Sequence, residues 1–481
     1  MGVLENLEPK DVFKYFETIC SIPHGSGNTD GIVEYLMNFA QERGLESYRD
    51  TLNNVIIRKK GSPGYENADI IILQGHHDMV CEKEEGLDID FKKDPIIPYV
   101  DGDWIRAKGT TLGGDDGIAV AMILAILDDD TLPHPPIEAL ITADEEMGMP
   151  GAFGFDCSQL TGKKLINLDS EFEGVLMCSC AGGVNLRNSI PVQRESVSGI
   201  EVTIQLRDFA GGHSGVEIDK GRANSNMIMG RMLCELAKET DYRLVSLEGG
   251  NRETSIAAAT SATFVVESAG VDALCAKAKA LGKHYAKEYA ATEPNMTVEV
   301  KKGKEITVFA LSKKSTELVY RVLVSLPDGV QEMSTDMPGL VQTSTNCGLL
   351  KLTDTDLTFS NTVRSSITPQ KYWVKDKIEA IVALAGGKSA FDGDYPGWAY
   401  NPDSEVKDAL LKAYKKVAGT DAKVDAVHAG IECGIFADKV GLDCVAIGPE
   451  MADVHTPKEH LSISSSARLY EVLKAFLADS K

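Results

Sequence analysis

Acidic and imidazole side chains recur in this chain just beyond short apolar runs. His76 and Asp78 follow the run at 70–73, Asp144, Glu145 and Glu146 follow 137–142, and Asp169 and Glu171 follow 165–168. His428 and Glu432 follow 423–427, His455 lies in the loop after 443–447, and Asp115 stands just before an apolar helix at 117–127. In open α/β sheets ligands bind beyond the carboxyl ends of the strands. If these runs are neighbouring strands, their polar followers converge. A gathering of carboxylates repels itself without cations. Two histidines with three carboxylates suit divalent zinc, cobalt or manganese better than calcium, which prefers oxygen-only sites. Two such ions against three ionised carboxylates leave about one positive charge, enough to stabilise a bound hydroxide.

Each motif has a plainer reading when taken alone. A His-x-Asp sequence is common as a surface pair, Asp-Glu-Glu as a solvated turn, and Gly113-Gly114 as a tight turn before a helix. Gly211-Gly212-His213-Ser214-Gly215 is by itself a loop. Their joint occurrence at strand ends favours the metal site. The glycine-rich stretches match neither phosphate-binding pattern, GxxxxGK[ST] or GxGxxG after the first strand, which leaves a nucleotide site unsupported.

The elements that must position these residues alternate between helix and strand up to about residue 181, with helices at 12–19, 31–42 and 117–127 and strands at 54–58, 70–73, 137–142 and 165–168. A turn-rich break at 178–183 precedes a change of rhythm. From there strands and helices alternate in two similar halves, each reading as a helix-backed antiparallel sheet. A second turn-rich hinge at 393–397 returns the chain to the first rhythm. The expected fold is α/β, with a discontinuous catalytic domain (1–184 and 393–481) whose mixed sheet is flanked by helices. The inserted α+β lid (185–392) is built from the two sheet halves.

The 481 residues include 49 Lys+Arg and 72 Asp+Glu, a formal net charge of −23 that would repel phosphate backbones and anionic lipid surfaces. No nucleic-acid or membrane partner is expected. The 43% hydrophobic content is that of a globular protein. No apolar run reaches the ~20 residues of a membrane helix, and the acid-bearing stretch 1–14 resembles neither a signal nor a transit peptide. The ten scattered cysteines lack the CxxC spacing of a zinc or redox site. Reduced thiols in a cytoplasmic protein are expected.

Five segments, Gly75-His76-His77-Asp78-Met79-Val80, Thr111-Leu112-Gly113-Gly114-Asp115-Asp116-Gly117, Thr142-Ala143-Asp144-Glu145-Glu146, Leu168-Asp169-Ser170-Glu171 and Gly211-Gly212-His213-Ser214-Gly215, together resemble the aminoacyl-histidine dipeptidases (peptidase D, Xaa-His dipeptidases). These belong to the co-catalytic zinc aminoacylase and carboxypeptidase clan. The resemblance extends to His134-Pro135-Pro136, His428-Ala429-Gly430-Ile431-Glu432-Cys433-Gly434 and Ile447-Gly448-Pro449 with His455, and so covers essentially the whole chain. It implies one metal on His76, Asp115 and Asp169 and another on Asp115, Glu146 and His455, most suitably Zn2+, with Co2+ or Mn2+ as substitutes. It also implies hydrolysis of a dipeptide, Xaa-His in type, by a metal-bridged water with Glu145 as general base. Asp78 would steady the His76 ring, with no metal role for His77; His213 would donate to the oxyanion, and Arg364 would hold the free carboxylate of a small peptide substrate. Thr254 stands where relatives carry a substrate-binding Asn, and Asp116 where they commonly carry Asn. Monomer and homodimer both stay open. Hydrolysis of N-acyl amino acids by the same centre is the alternative within enzymes, and a non-catalytic metal or peptide binder the alternative outside them.

Overall fold

The polar strand ends belong to one eight-stranded mixed sheet in the computed structural model, which describes residues 2–481. Its strands lie in the order Glu46–Arg49, Val55–Lys59, Ile137–Thr142, Ile71–His76, Lys164–Asn167, Asp443–Ala446, Val175–Cys180 and Lys423–Val427. Ile71–His76 runs parallel to both Ile137–Thr142 and Lys164–Asn167, and Lys164–Asn167 parallel to Asp443–Ala446. Four carboxyl ends therefore face the same way. The two strands Ile71–His76 and Ile137–Thr142 are buried at every position, the pattern of strands covered on both faces.

Helix Gly114–Asp128 explains much of that cover. Fourteen of its fifteen residues are buried, so it lacks a polar face and can only be an interior helix. Ile118, Val120, Ile123, Leu124 and Leu127 are almost fully excluded from water, each burial contributing roughly 1.5–3 kcal/mol before chain entropy is counted. The helix packs on strand Ile71–His76 and against helices Lys10–Cys20 and Ile463–Asp479.

By contact density the described chain divides into two units. The first takes in the chain up to Ser179, Trp398–Ala426 and Ile431–Lys481; the second is Cys180–Gly397 with Val427–Gly430. The second unit holds an antiparallel sheet whose main path runs Thr297–Leu311, Arg194–Arg207, Thr260–Val266, Tyr242–Gly249, Val341–Leu352, Asp356–Ser365, Gly182–Pro191 and Lys388–Tyr395. Gly329–Met333 pairs with Val341–Leu352 as a ninth strand. Helices Ser225–Ala237, Val271–Glu288, Lys313–Ser325 and Thr368–Leu384 supply Met229, Leu274, Leu323 and Ile378 to a core with Val202, Phe264, Leu350 and Val363.

The two halves read from the sequence thus form one continuous sheet. They meet through just two residue pairs, Glu248 with Lys351 and Gly249 with Leu350. The break expected at 178–183 is also extended chain: Val175–Cys180 and Gly182–Pro191 are strands separated by Ala181. The Gly182-Gly183 pair suggests a turn, yet Gly182 already opens a strand. A third sheet of four short strands, Met451–Ala452, His460–Ser462, Trp104–Ala107 and Pro98–Asp101, was not anticipated, since two to four residues are too few to show a period. Among the described residues no helix is long and apolar enough to cross a membrane, and no disulfide links the ten cysteines.

Candidate metal centre

The first unit brings His76, Asp115, Glu145, Glu146, Asp169 and His455 together. His76 is the last residue of strand Ile71–His76, and Asp115 lies in the first turn of helix Gly114–Asp128. Glu145 and Glu146 open a short 3-10 turn after strand Ile137–Thr142. Asp169 follows strand Lys164–Asn167, and His455 sits in a loop between strands Met451–Ala452 and His460–Ser462. Asp115 turns Oδ1 to His76 Nε2 at 3.0 Å and Oδ2 to His455 Nε2 at 3.1 Å. His455 Nε2 is also 2.7 Å from Glu146 Oε1, and His76 Nε2 is 4.0 Å from Asp169 Oδ2.

Ligand atoms of Asp115, Glu146 and His455 all lie within 4.8 Å of one another, as do those of His76, Asp116 and Asp169. The donor set fits a pair of divalent cations: one carboxylate spans two imidazoles, each of which has a second carboxylate at hand. Asp116 was not expected so close. Its Oδ2 accepts the His76 main-chain N–H at 3.1 Å, while its Oδ1 is buried without a partner. Residue 75 must be glycine for this, because a Cβ there would lie 2.5 Å from Asp116 Oδ2.

Electrostatics without cations show the strain in such a cluster. Burial opposes ionisation of Asp115, but the hydrogen bonds to His455 and His76 win and hold its carboxyl below the usual range. Burial pushes Asp169 well up, reinforced by Asp115 and Asp116. Glu145 rises to about 8, through burial first and its acidic neighbours next, against the pull of His76. The Asp115 and Glu146 hydrogen bonds raise His455 to about 10, and His76 is raised despite its burial by Asp115 and Asp78. Positive charge is drawn to this point from wherever it can be found.

The ring of His76 is steadied somewhat differently from expectation. Nδ1 donates to the main-chain oxygen of Asp78 at 3.0 Å, with the carboxylate Oδ1 behind at 3.4 Å. Either partner fixes the proton on Nδ1 and leaves Nε2 free to ligate. The Asp78 carboxylate mainly serves elsewhere: Oδ1 accepts the Glu145 N–H at 2.9 Å and Oδ2 the Ser26 hydroxyl at 2.7 Å. Burial resists its ionisation, yet His76 and Ser26 carry it down to about 2. His77 points to the Asn53 carbonyl at 2.9 Å and takes no part.

Glu432, expected with the strand-end cluster, lies instead in a buried polar network whose other members the sequence did not single out. Gln74 Nε2 donates to Glu432 Oε2 at 2.5 Å and Thr142 Oγ1 to the same oxygen at 2.7 Å. Asn167 Nδ2 donates to Gln74 Oε1 at 2.7 Å, and Asn167 Oδ1 accepts the Asp169 N–H at 3.3 Å. Three parallel strands are thereby pinned side by side two to four residues before the site residues they carry. The available signal was polarity at the fully buried strand positions Gln74, Thr142 and Asn167.

The second unit gathers a different set. His213 Nδ1 accepts N–H groups of Gly215 and Val216, both at 3.2 Å, which puts the ring proton on Nε2 as a donor. Its loop is held by His213 N–H to Glu217 Oε2 at 2.8 Å and by Ser214 N–H to the Thr254 carbonyl at 2.9 Å. Arg364, on strand Asp356–Ser365, is only 6% exposed; Nη1 donates to the Tyr395 hydroxyl at 2.8 Å and Nε has no partner. His428 Nε2 is 2.7 Å from Ser344 Oγ, and its ring also bonds the Val341 main chain. The sequence placed His428 with the strand-end cluster. Its contacts put it in the second unit, because residues 427–430 pack there. Burial and the Arg364 charge lower His213 and take His428 down to about 3.

A match to Peptidase family M20/M25/M40 spans residues 72–479. The chain is 36% identical to the cytosol non-specific dipeptidase of Escherichia coli, over 100% of this chain and 99% of that protein. The crystal structure of aminoacylhistidine dipeptidase from Vibrio alginolyticus superposes with a TM-score of 0.94 at 34% identity, covering 98% of this chain and 97% of that one. The aminopeptidase PepT of Bacillus cereus shares the fold at a TM-score of 0.57 and 16% identity, over 98% and 99% of the two chains.

Proposed function

Because the chain belongs to peptidase family M20/M25/M40, a family of metallopeptidases with a dinuclear metal site, we propose that it hydrolyses dipeptides, Xaa-His among them, at a centre of two divalent ions. The observation that carries this reading is the Asp115 carboxylate, with one oxygen on His76 and the other on His455. His76, Asp115 and Asp169 hold one ion and Asp115, Glu146 and His455 the other, with zinc the best-suited metal for this mix of nitrogen and oxygen donors. When bound, the ions supply Lewis acidity and lower the pKa of water.

The remaining chemistry falls to the protein. Glu145 takes the proton from the attacking water and passes it to the departing amine. Asp78 fixes where Glu145 stands by accepting its main-chain N–H. His213 donates from Nε2 to the developing oxyanion, since its Nδ1 is already an acceptor. The guanidinium of Arg364, buried with no carboxylate partner among its hydrogen bonds, takes the free carboxylate of the substrate. We assign segment 185–392 as a lid inserted between catalytic segments 1–184 and 393–481, supported by the change of sheet type along the chain. The relatives' names, a cytosol non-specific dipeptidase and an aminoacylhistidine dipeptidase, support a cytoplasmic enzyme with small peptide substrates.

Turnover of Gly-His beside N-acetyl-His, before and after exhaustive chelation, tests the reading. Cleavage of Gly-His alone, lost with the metal and restored by zinc, cobalt or manganese, is expected. Cleavage of N-acetyl-His alone would make the protein an amidohydrolase, and activity that survives chelation would remove the metal from the mechanism.

A further inference from the structure

The two proposed ion positions differ in how firmly the fold holds their ligands. His76 ends an interior strand, is almost completely buried, and has its ring and main-chain N–H both bonded. His455 is bonded only through Nε2, to Asp115 and Glu146, and is otherwise less supported: it lies in a loop, its side chain is 49% exposed, and its backbone is left-handed at φ 62°. Asp453, two residues earlier, is left-handed as well at φ 53°. Non-glycine residues hold such conformations only where their surroundings enforce them. Something must anchor this loop.

That anchor is Glu459, 3% exposed and four residues beyond His455. Its Oε2 accepts the N–H groups of Leu112 at 2.8 Å and Gly113 at 3.3 Å, and its Oε1 that of Gly114 at 2.8 Å. Three successive main-chain donors on one carboxylate form an anion-holding nest, here at the start of helix Gly114–Asp128, where the first N–H groups have no partner within the helix. The next residue along that turn is Asp115. The turn is shaped for this contact: Gly113 has φ 71°, and a Cβ on it would come within 2.8 Å of Met79 Sδ. On its own side Glu459 closes the His455 loop through its N–H to the Thr456 carbonyl at 3.1 Å. A single buried side chain thus fastens the loop carrying His455 to the turn carrying Asp115.

We propose that Glu459 is a positioning residue for the ion position formed by Asp115, Glu146 and His455, and that it sets the affinity of that position while leaving the His76 position largely to its own supports. The inference rests on the dinuclear reading above. Its test is a cobalt titration of protein stripped by chelation, followed by visible absorption, for the wild type, E459Q and E459D. Wild type is expected to take up two ions. E459Q presents an amide N–H2 to donors that need an acceptor, and should bind the first ion within about twofold of wild type and the second about 10–100-fold more weakly, the usual cost of losing an outer partner. E459D, which keeps the charge one methylene short, should fall between them, and carries the test alone if E459Q fails to fold by circular dichroism. H455A should reproduce loss of the second ion. Both ions bound as in wild type, or both weakened alike, overturns the role of Glu459. A wild type that binds fewer than two ions overturns the dinuclear reading, and this inference with it.

Discussion

The histidines of the two units sit in opposite electrostatic surroundings. His76 and His455 lie among carboxylates, and each is raised towards its charged form, His455 to about 10. His213 and His428 lie beside the buried guanidinium of Arg364 and are lowered, His428 to about 3. One residue type therefore serves as an electron-pair donor in a region short of positive charge and as a neutral partner in a region that has too much of it. On the proposed reading the first region would receive cations and the second an anion, as hydrolysis at a metal pair and recognition of a substrate carboxylate would require.

Glu145→Gln should have the largest effect of three substitutions that probe this contrast. Removing the general base is expected to lower kcat about 10²–10⁴-fold with metal content unchanged, measured by turnover together with elemental analysis. An equal loss of metal would move Glu145 from proton transfer to ligation. Next, His213→Ala should lower kcat about 10²–10³-fold without altering metal content, as expected for loss of an oxyanion donor. If KM alone changes, the imidazole acts in binding. Arg364→Met should raise KM for dipeptides about 10–100-fold, as loss of a charge-assisted bidentate contact implies, while leaving a C-terminally amidated substrate unaffected. Equal effects on both substrates would detach Arg364 from the carboxylate.

The smallest expected effect concerns pH. The folded pKa of His428 lies below its unfolded value of about 6.5. Below pH 6.5 the unfolded chain therefore binds the extra proton and the folded chain does not. The stability this neutral ring contributes is complete above pH 6.5 and falls as pH drops towards about 3, by at most about 1.4 kcal/mol per pH unit. Urea midpoints between pH 7 and 5 should therefore slope less in His428→Gln. An unchanged slope would place the titration elsewhere.

Much of the first cluster was legible because strand ends are read from two patterns at once, an apolar run and the polar residues just past it. His76, Glu146 and Asp169 lie after the three adjacent parallel strands Ile71–His76, Ile137–Thr142 and Lys164–Asn167, or at the end of one. Asp115 was legible from the glycine pair and apolar helix around it. Glu459 was not, since its role lies in main-chain donors 345 to 347 residues away in sequence, and a lone Glu in Thr456-Pro457-Lys458-Glu459 looks like a solvated turn. Nor was the Asp78 contact to the Glu145 N–H, because nothing in composition says which backbone group a carboxylate will find. In the second unit the repeated rhythm of strands and helices was visible, whereas the joining of the two halves into one sheet was not: a ladder two pairs long leaves no periodic trace.

That short ladder has a mechanical consequence. Elsewhere in the sheet, neighbours such as Arg194–Arg207 and Thr297–Leu311 are stitched along more than ten residues, so stiffness within each half is high. Across the line from Gly249 to Leu350 the ladder contributes little, and the joint is carried by side chains instead: Asn224 and Asn226 donate to the Cys347 carbonyl and Arg194 to the Thr353 carbonyl, while helices of both halves share one core. The two halves are therefore joined by packing more than by main-chain pairing.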